Sequence, residues 1–300
     1  MKSKHKTYSR TFILLSIVSL FFLSGCVQSP EIKQFSQDLP QYDENLEIIL
    51  GNIHTDFYNY DLDYSVNRLM NLLTITDSMV TGMKKEENNI KEDMLNFEEI
   101  AKEYQTAKSS ININMLSEED KLIVNKIDNK ISEYNLNKEK VNSCLSKMEE
   151  YRDWIKLVND NAKILEKFET QSILMNEYVQ SEKYQDALSK VTEIQNTISQ
   201  MKDNAQKRKD SGIQTFSTET IQSYDALSNS YNTYKEYINL LIDEDWEEAE
   251  IKYIEYSQEY SEAISMGSDE DASITEAINE ADTWYQENIG VCFDLFESYS

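Results

Sequence analysis

The chain has 300 residues, a formal net charge of −26, 28% charged and 40% apolar residues, and only 2 Pro, 6 Gly, 3 Cys and 2 His. Length and apolar content suffice for a sizeable core in one or two domains, which excludes disorder throughout, and the shortage of Gly and Pro removes the turn punctuation that all-β or α/β chains need. Two histidines, His5 and His54, leave zinc sites and His-based triads almost nothing to draw on, and the acidic surface excludes nucleic acid as a partner because it repels phosphate. An all-α fold follows, with antiparallel helical hairpins forming an elongated bundle or coiled-coil-like array.

At the N-terminus, Lys2, Lys4, Lys6 and Arg10 precede the mostly apolar run from Thr11 to Leu23, and Ser24, Gly25 and Cys26 come next. A basic head, an apolar middle and small residues make a secretory signal, too short to span a bilayer comfortably. Leu23-Ser24-Gly25-Cys26 resembles the lipobox of prokaryotic lipoproteins. The resemblance implies cleavage after residue 25, lipidation of Cys26, and residence on the outer face of a cell membrane or outer membrane. An uncleaved anchor, or a coincidental cysteine, is the competing reading. Each buried methylene contributes ~0.8 kcal/mol and one acyl chain holds only marginally, so the family's diacylglyceryl group would supply what stable anchoring needs. Cleavage would also remove four cations and take the net charge from −26 to −30. Such an exterior is a solvated surface, or one suited to a cationic partner.

Residues 26–41 hold both prolines, Pro30 and Pro40, and little periodicity, so they read as a lipidated tether before a helical domain over 42–300. Beyond them, steps of three and four between apolar residues predict helices near 42–59, 62–108 with a break at Gly82, 118–180 with a break at Asn135-Leu136-Asn137, 184–209, 218–242, 246–265 and 270–298. Subdivisions fall near 110–117 and 210–217. Ser117 before Glu118, Glu119 and Asp120, and Ser268 before Asp269, Glu270 and Asp271, have the make-up of helix starts. Phe216 and Ile221 around Ser217 are placed for a hydrophobic staple, and Gly212 and Gly267 for helix ends.

Three segments share one spacing: Leu62, Ser65, Leu69 and Leu72; Tyr184, Ala187, Val191 and Ile194; Trp246, Ala249, Tyr253 and Tyr256. A bulky residue wedged in the turn and a small one three positions on let two antiparallel helices approach closely. The spacing resembles the inter-helix turn of tetratricopeptide repeats, but Met175 and Ser199 stand where that family has glycine and proline, and the copies are not evenly spaced. A generic helical bundle or long coiled-coil-like hairpin is the reading these departures favour.

With Cys26 assigned to lipid, Cys144 and Cys292 either pair across a long loop or serve as small apolar core residues. The acidic run Asp243-Glu244-Asp245-Trp246-Glu247-Glu248 lacks the loop glycine and ligand pattern of a calcium site and reads as helix capping, so no metal or cofactor is implied. The 19 tyrosines are the most unusual feature of the composition. Tyr224, Tyr231, Tyr234 and Tyr237 on helix 218–242 would meet Tyr253, Tyr256 and Tyr260 across the hairpin, either as packing residues or, with Trp246 and Trp284, as an exposed aromatic interaction surface. No Gly-rich phosphate loop, His pair or Ser-centred elbow points to an enzyme. The expectation is a membrane-anchored, non-catalytic helical interaction or structural module with a protein or peptide partner. The alternative is a ligand-binding protein with a tyrosine-rich cleft between hairpins.

Overall fold

The computed structural model describes residues 29–66, 76–214, 218–267 and 270–300. Among them are seven α-helices and no strand: α1 Pro30–Tyr64, α2 Asp77–Ser109, α3 Glu118–Gln180, α4 Tyr184–Asp210, α5 Thr218–Ile242, α6 Trp246–Gly267 and α7 Glu270–Asn288. Short 3-10 turns occupy Ile113–Met115, Gly290–Cys292 and Glu297–Tyr299. No helix of the described residues is long and apolar enough to cross a membrane.

The predicted tether over 26–41 is corrected from Pro30 onward. Ser29 caps α1 by accepting from the Ile32 amide, and Pro30 fits the first helical turn because its missing N–H would go unbonded there anyway. Ile32, Phe35 and Leu39 then step by three and four into the core, and this burial holds the helix through Pro40 despite the backbone bond lost there. The predicted end near residue 59 is also absent, since α1 runs to Tyr64. Leu69 and Leu72 of the first repeat copy, Phe216 and Ser217 of the staple, and Ser268 and Asp269 of the last helix start lie outside the described residues.

Gly82 does not break α2. A Cβ there would meet the Tyr64 hydroxyl of α1, so the glycine lets that side chain lie across α2. Nor does α3 break at Asn135-Leu136-Asn137. Ile127, Tyr134, Val141, Met148 and Ile155, all buried, repeat every seven residues straight through that triplet, and Asn137 Nδ2 donates to the Glu133 carbonyl at 3.2 Å instead of competing for the helix backbone. The Ser117 cap forms as its sequence predicts, Oγ accepting from the Asp120 amide at 3.0 Å. The result is a single helix of 63 residues, about 95 Å long at ~1.5 Å per residue.

Two cores are built along it. In the first, α1 runs parallel to α3 and α2 antiparallel to both. Ser36 bonds Asp120, Lys130 bonds Asp43 and Glu47 at 2.7 and 2.6 Å, and the Tyr60 hydroxyl reaches the Met148 carbonyl, so α1 and α3 advance together. Against α2 the order reverses, with Tyr104 on Asp128, Tyr134 on Glu98, Arg152 on Glu87 and Asn159 on Asp77. The second core holds Met175 of α3, Ala187, Val191, Ile194 and Ile198 of α4, Tyr231, Tyr234 and Ile238 of α5, and Ala263 of α6.

After α6 the chain returns to the first core. The helix predicted over 270–298 ends at Asn288, because the segment beyond it turns in against α3 and α1. Tyr285 donates to Asp61 at 3.2 Å, Cys292 is bonded to Cys144 with 6.1 Å between Cα atoms, and Phe296 adopts a left-handed φ of 62°. His54 Nδ1 lies 3.2 Å from the Leu295 carbonyl, Tyr299 donates to Glu133 at 2.7 Å, and a Cβ on Gly51 would meet the Tyr299 carbonyl oxygen at 2.7 Å. The C-terminal strap is thus tied covalently and by hydrogen bonds.

Two outcomes follow for stability. Cys292→Ser is expected to lower the unfolding free energy by ~2–4 kcal/mol, because the bond closes a long loop, and to raise amide exchange over residues 285–299. Denaturant titration with exchange mass spectrometry checks both, and unchanged exchange there contradicts the strap. The second concerns pH. Burial pushes Asp56 and Glu87 up to about 7 and Asp93 up to about 6. These carboxyls titrate near ~4 once unfolded, so between ~4 and ~7 the folded chain binds more protons and gains stability as pH falls. Glu98 and Glu149, held below the usual range by hydrogen bonds from Lys138 and Lys91, lose their contribution only on further acidification. Melting followed by circular dichroism should therefore climb from pH 8 to about 5 and then decline, and Asp56→Asn should flatten the climb.

Candidate interaction surface

Two turns of one design build the far end of the molecule. Between α3 and α4 the Lys183 amide donates to the Tyr178 carbonyl at 2.8 Å, with Glu182 at φ 58°; between α5 and α6 the Asp245 amide donates to the Leu240 carbonyl at 3.0 Å, with Glu244 at φ 59°. Each is a left-handed helix stop followed at once by a new helix, and each places an alanine, Ala187 or Ala249, fully inside. The second and third repeat copies are therefore the same helix–turn–helix. The wedge expected at the third is corrected: Trp246 is 60% exposed and lies outside the hairpin, because the small Ala249 alone lets α6 close on α5.

Six of the predicted tyrosines come together between α5 and α6. Ring centroids lie 4.5 Å apart for Tyr234 and Tyr256, 5.3 Å for Tyr237 and Tyr253, 5.7 Å for Tyr256 and Tyr260, and 5.9 Å for Tyr231 and Tyr256. Tyr231 and Tyr234 are buried, Tyr237, Tyr256 and Tyr260 half-buried, and Tyr253 exposed. The rings fill the space between the two helices. Burial pushes the Tyr231 hydroxyl up to about 12 and raises those of Tyr234, Tyr256 and Tyr260, so all stay neutral at physiological pH. Tyr234 donates to Asn176 at 3.2 Å and Tyr231 sits 3.4 Å from Ser172 Oγ, which ties the ladder to α3. Tyr224 stands apart at the half-buried margin of this core, and Trp284 lies in the first core with Tyr151, under the Lys147 ammonium.

Trp246 and Tyr253 of the predicted surface do lie exposed on the outer face of α6; what sequence reading missed is the isoleucine and methionine side chains beside them. Trp246, Ile251, Tyr253, Ile254, Ile264 and Met266 are each 42% or more exposed. A shallow open depression of about 400 Å³ runs along it, lined by Tyr253, Ile254, Ser257, Gln258, Ser261 and Glu262. The available signal was that Trp246, Ile251 and Ile254 fall off the seam of Ala249, Tyr256 and Ala263, so α6 carries more apolar residues than one buried stripe needs. The acidic run beside it caps the helix, Asp245 Oδ1 accepting from the Glu248 amide at 3.4 Å. Lys252 is held by Glu236 and Glu255 at 3.0 and 2.8 Å, and among the described residues no cluster of metal-ligating side chains occurs.

Comparison of the chain with known protein families, with curated proteins and with solved structures finds no match. The surface must therefore be read from its chemistry alone.

Packing and exposure predict opposite responses in the two aromatic sets. Tyr234→Ala should cost ~3–5 kcal/mol by emptying the ladder, and Tyr234→Phe about 1 kcal/mol for the bond to Asn176. Trp246→Ala should change stability by no more than ~0.5 kcal/mol. Urea unfolding separates the three, and a large loss at Trp246 would mean that it is part of the core.

Proposed function

We propose that the chain is a lipid-anchored, extracytoplasmic helical protein without catalysis that presents an interaction surface away from the membrane. The observation that carries this reading is the Cys144–Cys292 disulfide, since such bonds persist in oxidising compartments and not in a reducing cytoplasm. The basic head, apolar run and Leu23-Ser24-Gly25-Cys26 at the start supply a route to that compartment. Only Val27 and Gln28 separate Cys26 from Ser29 at the α1 cap, so an acylated Cys26 would hold the first core within ~11 Å of chain reach of the bilayer. The α3–α4 and α5–α6 turns would then stand at the other end of a helix about 95 Å long. The exposed apolar side chains of α6 belong to that distal part.

Anchoring is tested with a Cys26→Ala chain. Palmitate labelling should disappear and the protein should move from the membrane to the soluble fraction, with the Cys144–Cys292 bond still visible as a mobility shift on reduction. Persistence of the variant in membranes, or reduced cysteines in native material, overturns the reading.

A further inference from the structure

We infer that the outer face of α6 is the docking surface, and that its occupant is a basic amphipathic helix of a partner protein. The inference rests on the reading of the chain as a non-catalytic interaction module. Along α6, Trp246, Tyr253, Ile254, Ser257, Ser261 and Ile264 fall within an arc of about 100° at ~3.6 residues per turn. Tyr253, whose ring meets Tyr237 of α5, forms the near edge of this second stripe and the rest turns outward from the seam; α6 packs principally on α5, so beyond that edge the stripe has no helix over it among the described residues. Ser257 and Ser261 sit low between the larger Tyr253, Ile254, Gln258 and Glu262, which makes the depression of about 400 Å³. Small residues flanked by large ones are what lets a second helix lie close, its own apolar side chains entering the gap.

Charge selects which helix. Glu250 stands within the stripe, Glu247 borders it and Glu262 lines the depression; α6 as a whole carries six Glu against one Lys. That lysine, Lys252, is already shared between Glu236 and Glu255. A partner face with leucine-like side chains flanked by Lys or Arg would therefore meet both an apolar strip and unneutralised carboxylates, and encounter would be steered by the net charge of −26. A second copy of this chain is the wrong occupant. A two-fold contact would set the same acidic patch, Glu247, Glu250 and Glu262 included, against its copy with no cation to offset it but the already shared Lys252.

The probe is a synthetic helix with leucine on one face and lysine on the other, with a scrambled peptide of the same composition and a glutamate version as controls. Titration into the purified full chain, disulfide intact, should give binding that is salt-sensitive, weaker by about tenfold for the scrambled peptide, and absent for the glutamate version. Ile254→Glu, Trp246→Ala and Ser257→Trp should each weaken it by about tenfold or more, whereas Leu122→Glu on exposed α3 should leave it unchanged. Unchanged melting temperatures show that the variants fold. Equal binding of scrambled and amphipathic peptides, or no effect of all three α6 variants, overturns the proposal in favour of diffuse charge attraction. A concentration-dependent dimer in sedimentation, lost in Ile254→Glu, overturns it in favour of a second copy. Should Cys26→Ala remain in membranes while the peptide result holds, the anchoring reading fails and the docking surface stands.

Discussion

Every packed element of this protein depends on the continuity of α3. An isolated hairpin of amphipathic helices buries one stripe poorly, and neither core here could close without α3 as its common wall. The first half of α3 offers a seam of period seven to α1 and α2, and the second half offers Phe168, Gln171 and Met175 to α4 and α5. A seven-residue period drifts ~20° per heptad around a straight α-helix, so the apolar face moves around α3 as it climbs. Different neighbours are therefore met at different heights.

The surplus of acid is handled by placing the few cations where they join helices. Lys130 is nearly buried between Asp43 and Glu47, Arg152 meets Glu87, Lys108 meets Asp128 at 2.6 Å, Lys163 meets Asp77 and Lys202 meets Asp225. Each ties one helix to another, and most of the remaining carboxylates face water. A few cannot. Asp56 is half-buried facing the charges of Glu86 and Asp93, and Glu87 is buried beside Arg152, so burial leaves Asp56 and Glu87 ready to hold protons near neutrality. An isolated exposed ion pair contributes little, so the pairs matter mainly for register, and the half-buried carboxylates for how stability varies with pH.

Much of the helical plan was legible because periodicity reports burial directly. The boundaries of α4, α5 and α6, the Ser117 cap and the repeated turn could be read from spacing alone, since Ala187, Val191 and Ile194 each point inward. The failures share a cause. Pro40, Gly82 and Asn135-Leu136-Asn137 are local weaknesses, and sequence reading gave them local consequences. In the folded chain the burial of Leu39, Met83 and Tyr134 next to them outweighs a lost bond or a poor helix former. The C-terminal strap was hidden for the opposite reason, since residues 289–299 make sense only once α3 and α1 stand beside them. At the surface, sequence identified the tyrosines but not their division. Tyr231 and Tyr234 face inward and Trp246 outward because α5 and α6 meet along one seam, a fact that residue type does not carry. The apolar side chains that are exposed, Ile251, Ile254 and Ile264, were unremarked because isoleucine on a helix reads as core.

The bond between Cys144 and Cys292 makes the whole distal part a closed covalent ring, entered and left at one sulfur pair on the side of α3. A protease that cuts either distal turn would leave a nicked molecule of unchanged mass apart from one water, with both pieces still joined at the first core. Pulling on the tip would likewise load that core directly through sulfur instead of peeling helices off one after another. Damage or tension at the exposed end thus stays local to the ring and spares the bundle that would carry the anchor.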